Sequence, residues 1–294
     1  LGLQKVFKIK NDDFLFSWEW TQMEQNSSSL IRYTGSWYEH IWSFDGYTND
    51  ISITDNSTLN GIDGQLTILA WIKTDTLSSG ASPRIVDRSE GNGGGVDRWL
   101  FTQANASENH VLQFAVGQGA TENINGSTPM NQQEWSFASA VYNQGNVDIY
   151  LNGVIDGQGT ISVSSLSHVQ NVPMSLGSTN GDNSFWNGNL DQISIWNTAL
   201  TQAEIQQYMN CPPTGNEAGL LGYWNFEEGI GSTAIDLTAN GNDGTINGAS
   251  YSTDTPEQVC VSCTATSDVV VTEASTSSST DPHQECESFT WIDG

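Results

Sequence analysis

The run EWSFASAVYNQGNVDIYLNGV, residues 134–154, constrains the fold more than any other stretch of the chain. Its first part is an apolar-rich segment, WSFASAVY, that ends at Asn143-Gln144-Gly145-Asn146. Beyond that joint, Val147, Ile149 and Leu151 alternate with Asp148, Tyr150 and Asn152, the period of a strand with one buried face. A short joint followed by Asn152-Gly153, a favoured two-residue hairpin turn, calls for antiparallel pairing. QLTILAWIK (65–73) and HVLQFAVG (110–117) have the same character. In the former, Leu66, Ile68, Ala70 and Ile72 fall on one face and Leu69 and Trp71 on the other, as in a strand inside a two-layer sandwich. Many short strands joined by Gly- and Asn-rich turns predict an all-β fold, a two-sheet antiparallel jelly roll sandwich.

One short helix interrupts the pattern, in ALTQAEIQQYMN (199–210). Thr201 and Glu204 have capping-box spacing, and Leu200 and Ile205 suit a hydrophobic staple. Ile205, Tyr208 and Met209 then make an apolar stripe, expected to cover one end of the sheets. Three regions follow from composition. Residues 1–40 are an N-terminal segment in which DDFLFSWEW can add an edge strand or end a preceding module. Residues 41–260 are the jelly roll. Residues 261–294 combine a linker, TEASTSSSTDPHQE, with CESFTWIDG, which reads as the start of a further repeat module.

The charge balance narrows the partners. There are 34 acidic residues against 8 basic ones, a formal net charge of -26, and the last cation is Arg98. Binding to phosphate backbones needs clustered cations, so nucleic acid and anionic membrane are poor partners. No stretch is long and apolar enough to insert into a bilayer. Asn, Gln, Ser, Thr and Gly supply much of the remaining polarity, which suits an extracellular surface. All four cysteines lie in the last third. Cys260-Val-Ser-Cys263 has CxxC spacing, but with no second CxxC and no nearby His it is a weak zinc signal. Two disulfides, Cys211–Cys260 and Cys263–Cys286, are preferred, and they imply an oxidising compartment. The chain has no signal peptide and does not begin with Met, so a mature or excised piece is expected.

WSFDGYTNDISI (42–53), LTILAWIKT (66–74), WSFASAVYNQGNVDIYLNG (135–153), MSLGS (174–178) and FWNGNLDQISIWNTALTQAEI (185–205) follow in an order that resembles the laminin-G-like, concanavalin A-like jelly roll domains of bacterial secreted proteins. Residues 211–258 are similar to the closing segment of such domains in type IX-secreted, adhesin-like surface proteins. The resemblance implies one structural Ca²⁺ on an outer face, with Asp191 of GNLDQISIW as a ligand and Asp236, Asn240 and Asp243 as further candidates. Hard oxygens of Asp, Asn and carbonyls suit that ion. The stretch DLTANGNDGTING (236–248) imitates the start of an EF-hand, but its twelfth position is Asn247 rather than a bidentate Glu and no helix follows. Asx turns explain the same Asp, Asn and Gly density.

Two glycine-rich loops, DRSEGNGGGVDRWL (87–100) and STNGDNSFWNG (178–188), are the candidate ligand loops. Trp99 and Trp186 are the aromatics that can stack on a sugar, although Trp186 sits beside a strand entry typical of the resembled family, for which a core role is the stronger reading, and Arg88, Arg98 and Asp97 can bind hydroxyls. No carboxylate ladder of the Glu-x-Asp-x-x-Glu kind is present, and the four His are scattered without a nucleophile motif. The expectation is therefore a non-catalytic, calcium-dependent binding or adhesion module of a secreted or cell-surface multidomain bacterial protein. Its ligand would be an extracellular glycan or a surface protein, with neighbouring modules in a longer chain. A structural spacer or assembly subunit of a surface adhesin, and a glycan hydrolase, are the alternatives.

Overall fold

The computed structural model describes residues 6–7, 18–19, 40–77, 82–89, 98–104, 107, 109–117, 121–179, 184–258 and 260. The chain divides into two units, Leu1–Trp37 and Tyr38–Gly294. In the first, β1 (Val6–Phe7) pairs antiparallel with β2 (Trp18–Glu19). Trp18–Glu19 is the described part of the expected edge strand. It takes this local partner and belongs to neither large sheet.

The second unit runs through β3 (Ile41–Asp45), β4 (Asp50–Ile53), β5 (Gln65–Thr74), β6 (Arg84–Ser89), β7 (Arg98–Gln103), β8 (Leu112–Gly117) and β9 (Thr121–Asn125). It continues through β10 (Ser136–Asn143), β11 (Asn146–Leu151), β12 (Val154–Thr160), β13 (Met174–Leu176) and β14 (Asn187–Trp196). After the helix α1 (Gln202–Asn210) come β15 (Leu220–Trp224), β16 (Thr233–Ala234), β17 (Gly244–Asn247) and β18 (Ser250–Ser252). Two eight-stranded antiparallel sheets result. The first is ordered β12-β11-β10-β5-β14-β3-β18, with β15 also on β14; the second is ordered β16-β17-β4-β13-β6-β7-β8-β9. This is the predicted jelly roll sandwich.

Strand alternation builds the core. Leu66, Ile68, Ala70 and Ile72 of β5 join the cluster between the sheets, together with Val147, Ile149, Ile193, Phe101 and Phe114. Leu69 and Trp71 face the other way, into a second cluster with Phe137, Tyr150, Trp196 and Tyr223. Both faces of the first sheet are thus apolar, and α1 seals the outer one. Thr201 accepts from the Glu204 amide while Glu204 Oε2 accepts from the Thr201 amide at 2.7 Å, the predicted capping box. Leu200 and Ile205 are buried in the outer cluster, with Tyr208 and Met209 packed on it. The helix therefore covers a sheet face, not the expected end, because its stripe has Trp71 and Trp196 to cover. Trp196 and Tyr208 stack at 4.8 Å.

The turns have the backbone their residues favour. Gln144 and Gly145 have φ of 49° and 93°, and Asn152 and Gly153 have 51° and 71°. These positive values match the twist of the flanking strands. The sulfurs of Cys211 and Cys260 are bonded, which ties the end of α1 to the segment beyond β18. Cys263 and Cys286 lie outside the described residues.

Candidate functional site

The two glycine-rich loops lie at opposite ends of the sandwich. Asn187 pairs with Asp45 and Gly188 with Thr74, which places the 178–188 loop at the end where β3 and β5 finish. Leu176 pairs with both Ile51 and Val86, so β6 begins near that end and runs away from it to Ser89, opposite Arg98. The strand ends that flank the two loops therefore lie at different ends of the second sheet, so a single sugar ring cannot touch both sets of flanking residues.

Both candidate tryptophans are core residues. Trp99 and Trp186 are each 0% exposed within the inter-sheet cluster, so neither presents a face to a sugar. Arg88, also 0% exposed, points the same way as its strand partner Trp99. Its guanidinium donates to Leu59 O at 2.6 Å, Val172 O at 3.2 Å, Asn60 Oδ1 at 2.6 Å and Asp55 Oδ1 at 2.5 Å. Arg88 therefore pins two loops and is unavailable to hydroxyls. Asp97 lies outside the described residues.

The closing loop is a knot of hydrogen bonds. Asp236 Oδ1 accepts from the amides of Tyr223 (3.1 Å) and Thr238 (2.9 Å). Its Oδ2 accepts from Thr238 Oγ1 and the Asn242 amide, both at 2.8 Å. The Asp236 amide in turn donates to Asp243 Oδ1 at 2.9 Å. The Asn240 side-chain amide donates to the carbonyls of Leu220 and Leu221. A carboxylate offers about four acceptor sites, and Asp236 has four donors on them. Calcium needs those same lone pairs. Asp191 lies buried on β14 where the strand changes partner from β3 to β15, and its Oδ1 accepts the Gln192 amide at 2.7 Å within a bulge. Among the described residues no three His, Cys, Asp or Glu are placed to hold a metal. In this arrangement the Asp236 oxygens are given to protein donors rather than to a cation.

Of the sequence-selected ligand residues, Arg98 is the one with a site around it. It lies on the outer face of the second sheet, with Asp87, Leu100 and Thr102, because Val86, Trp99 and Phe101 take the inner face. Arg98 Nη2 donates to Thr121 Oγ1, while its Nε is buried with no hydrogen-bond partner. Gly117 lies between them in the strand register and leaves the row without a side chain. Thr121, Asn123 and Asn125 are exposed along β9, and Gln113 Nε2 donates to Asn125 Oδ1 at 2.8 Å. Behind them is a buried polar centre. Asp87 and Ser175 are strand partners and both 0% exposed, and Ser175 Oγ and Asp87 Oδ2 have no hydrogen bond. Arg84 Nε lies 2.9 Å from Asp87 Oδ2, but its N–H is directed to Thr179 Oγ1 at 3.1 Å. Burial pushes the Asp87 carboxyl above its ordinary range, against the pull of Arg84 and Arg98.

Sequence reasoning missed Arg84 and Asp87. The visible signal was RIVDRS, an arginine-rich strand in an acidic chain. A planar guanidinium can donate to vicinal hydroxyls while the exposed amide and hydroxyl oxygens beside it accept from them.

A family model described as the concanavalin A-like lectin/glucanases superfamily, Laminin_G_3, matches residues 45–206. Among solved structures, a candidate carbohydrate binding protein from Bacteroides ovatus ATCC 8483 superposes with a TM-score of 0.58 at 20% identity, over 76% of this chain and 62% of that one. The chain thus spans less than two thirds of that protein. The heptameric SAP-like pentraxin of Limulus polyphemus gives 0.48 at 15% identity, over 71% and 95% of the two chains. The Ruminococcus gnavus IT-sialidase CBM40 bound to α2,3-sialyllactose gives 0.46 at 12%, over 56% and 95%. No curated protein matches the chain.

Proposed function

The chain belongs to the Laminin_G_3 family of the concanavalin A-like lectin/glucanases superfamily, and on that premise we propose that it is a non-catalytic glycan-binding module of a secreted or cell-surface bacterial protein. The strip Arg98–Thr121–Asn123–Asn125 carries the reading. In a chain of net charge -26, an arginine is set among exposed amides on one sheet face, while the outer face of the other sheet is sealed by α1. The description of the Bacteroides ovatus relative as carbohydrate binding supports the same ligand class. Extracellular placement is supported by the Cys211–Cys260 bond, and no helix of the described residues is long and apolar enough to cross a membrane. Attachment to an adhesin, export by a type IX route and further modules beside this one are parts of the same proposal.

A glycan array followed by calorimetry tests it. The wild type is expected to bind at least one polysaccharide, and Arg98→Ala to weaken that binding tenfold or more without moving the thermal midpoint by more than a few degrees. Excess EDTA is expected to leave affinity unchanged if the strip alone carries recognition. Loss of binding in EDTA would restore calcium through residues other than the closing loop. A blank array favours the spacer reading, in which the disulfide-stapled sandwich serves as a rigid link. Release of reducing sugar from any hit would favour a hydrolase.

A further inference from the structure

Tyr47 is 77% exposed, and it is the single aromatic among the exposed large apolar side chains of the described residues. Trp42, Trp71, Trp99, Trp186, Trp196 and Trp224 are all buried. An isolated exposed apolar residue on a loose loop needs no explanation. Tyr47 stands on the opposite kind of loop. The β3–β4 turn is closed by the Asp45 carboxylate, whose Oδ1 accepts the amides of Tyr47 (2.8 Å), Thr48 (2.9 Å) and Asn49 (3.2 Å). Its Oδ2 accepts Thr48 Oγ1 at 3.0 Å. Asn49 Oδ1 returns the contact by accepting the Asp45 amide at 2.9 Å, and Asn187 Nδ2 donates to Asp45 O at 3.2 Å. Gly46 has φ of 79°, and a Cβ there would lie 2.6 Å from Asn187 Nδ2. A rigid turn thus holds an aromatic ring out in solvent, where hydrophobicity alone would have hidden it.

Resting on the glycan-binding reading above, we infer that Tyr47 is a stacking platform for the apolar C–H face of an uncharged pyranose, at a subsite separate from the Arg98 strip. A preformed ring gives up little conformational entropy on binding, and its face complements axial C–H groups. Electrostatics select the class. Asp45 is the sole charged group of residues 45–49, neither Asn187 nor residues 247–249 add a cation, and the chain carries -26 overall. An acidic sugar would be repelled there, whereas a neutral hexose is not. β4 and β9 are five strand positions apart in the second sheet, roughly 24 Å at ordinary strand spacing. A chain of several sugars can bridge that span, and a monosaccharide cannot.

The test is calorimetric titration of the full chain with neutral gluco- and galacto-oligosaccharides of graded length and with a uronate oligosaccharide. Tyr47→Ala is expected to weaken binding of the longer neutral oligosaccharides tenfold or more, with Tyr47→Phe and Tyr47→Trp within threefold of wild type. Tyr47→Trp should also add an exposed indole whose emission changes on sugar addition. Asp45→Ala, which leaves the ring but frees the turn, is expected to lie between, with Asp45→Asn recovering most of the loss. Wild-type affinity in Tyr47→Ala would overturn the platform while leaving the glycan reading intact. Preference for the uronate at Tyr47 would overturn the assigned sugar class. Failure of the wild type to bind any probe would overturn both.

Discussion

At the scale of single residues, this acidic chain uses its carboxylates as anchors for turns. Asp45, Asp236, Asp156 and Glu217 each accept two or more main-chain amides, whereas the described residues contain three ion pairs. Asp236→Ala would strand three buried amides, at about 1 kcal/mol or more each. A loss of about 3 kcal/mol is expected from urea unfolding, the same with and without calcium. The pH dependence follows from the anchors. Burial raises the Asp45 and Glu217 carboxyls, but amide and hydroxyl donors from Thr48 and Tyr47, and from Thr214 and Gly215, outweigh it and leave both below their ordinary values. Folded values below the unfolded ones give stability that is complete above the ordinary carboxylate range and lost as pH falls through the lowered values. The thermal midpoint should be flat at neutral pH and fall as acid passes below pH 4 or so. Asp50 and Asp87 act in the opposite sense, since burial, against their hydrogen bonds or charges, raises them and protonation relieves the folded state. Asp45→Asn, which keeps an acceptor without the charge, should flatten the acid limb.

At the scale of elements, alternation was legible in the sequence wherever it ran unbroken. The two faces of β5 fall as QLTILAWIK predicts, and α1 begins at the capping box. Phase was lost where a bulge intervenes. Between Arg84 and Val86 the register shifts, so Ile85 and Val86 both reach the core and Arg88 turns inward. One extra residue moves every later side chain to the other face, and no local pattern announces it. Trp99 was misplaced because a glycine-rich flank implies surface, while its strand β7 turns it into the core; for Trp186, just before β14, the core reading that competed in the sequence is the one the structure bears out. The calcium set illustrates a different limit, since Asx turns and metal loops use the same residue types and differ only in where the lone pairs go. Arg88→Met is expected to cost about 3–5 kcal/mol by leaving the buried carbonyls and Asp55 without a donor. Ile205→Ala should cost about 3 kcal/mol and loosen α1 from the outer cluster. Hydrogen exchange of the α1 amides would separate the two, with faster exchange in the second variant alone.

At the scale of the whole molecule, the Cys211–Cys260 bond closes a loop over a sequence separation of 49, for which chain entropy gives about 4 kcal/mol of stabilisation. Cys260→Ser should lower stability by about that amount. The bond is seconded by Gln258, which donates to Met209 O at 2.9 Å and accepts from Gln192. Its position also decides how the domain bears load. Tension drawn through the residues beyond 260 enters the fold at Cys211, at the end of the helix, and bypasses β15 to β18 altogether. About 170 Å of contour length, at roughly 3.5 Å per residue over that separation of 49, is thereby withheld from extension. Pulled under oxidising conditions, the module should yield as a shorter, later rupture. Pulled after reduction, it should first unzip at the edge strand β18 and then lengthen by that hidden reserve. The disulfide is a force bypass that keeps four of the sixteen sandwich strands out of the line of pull.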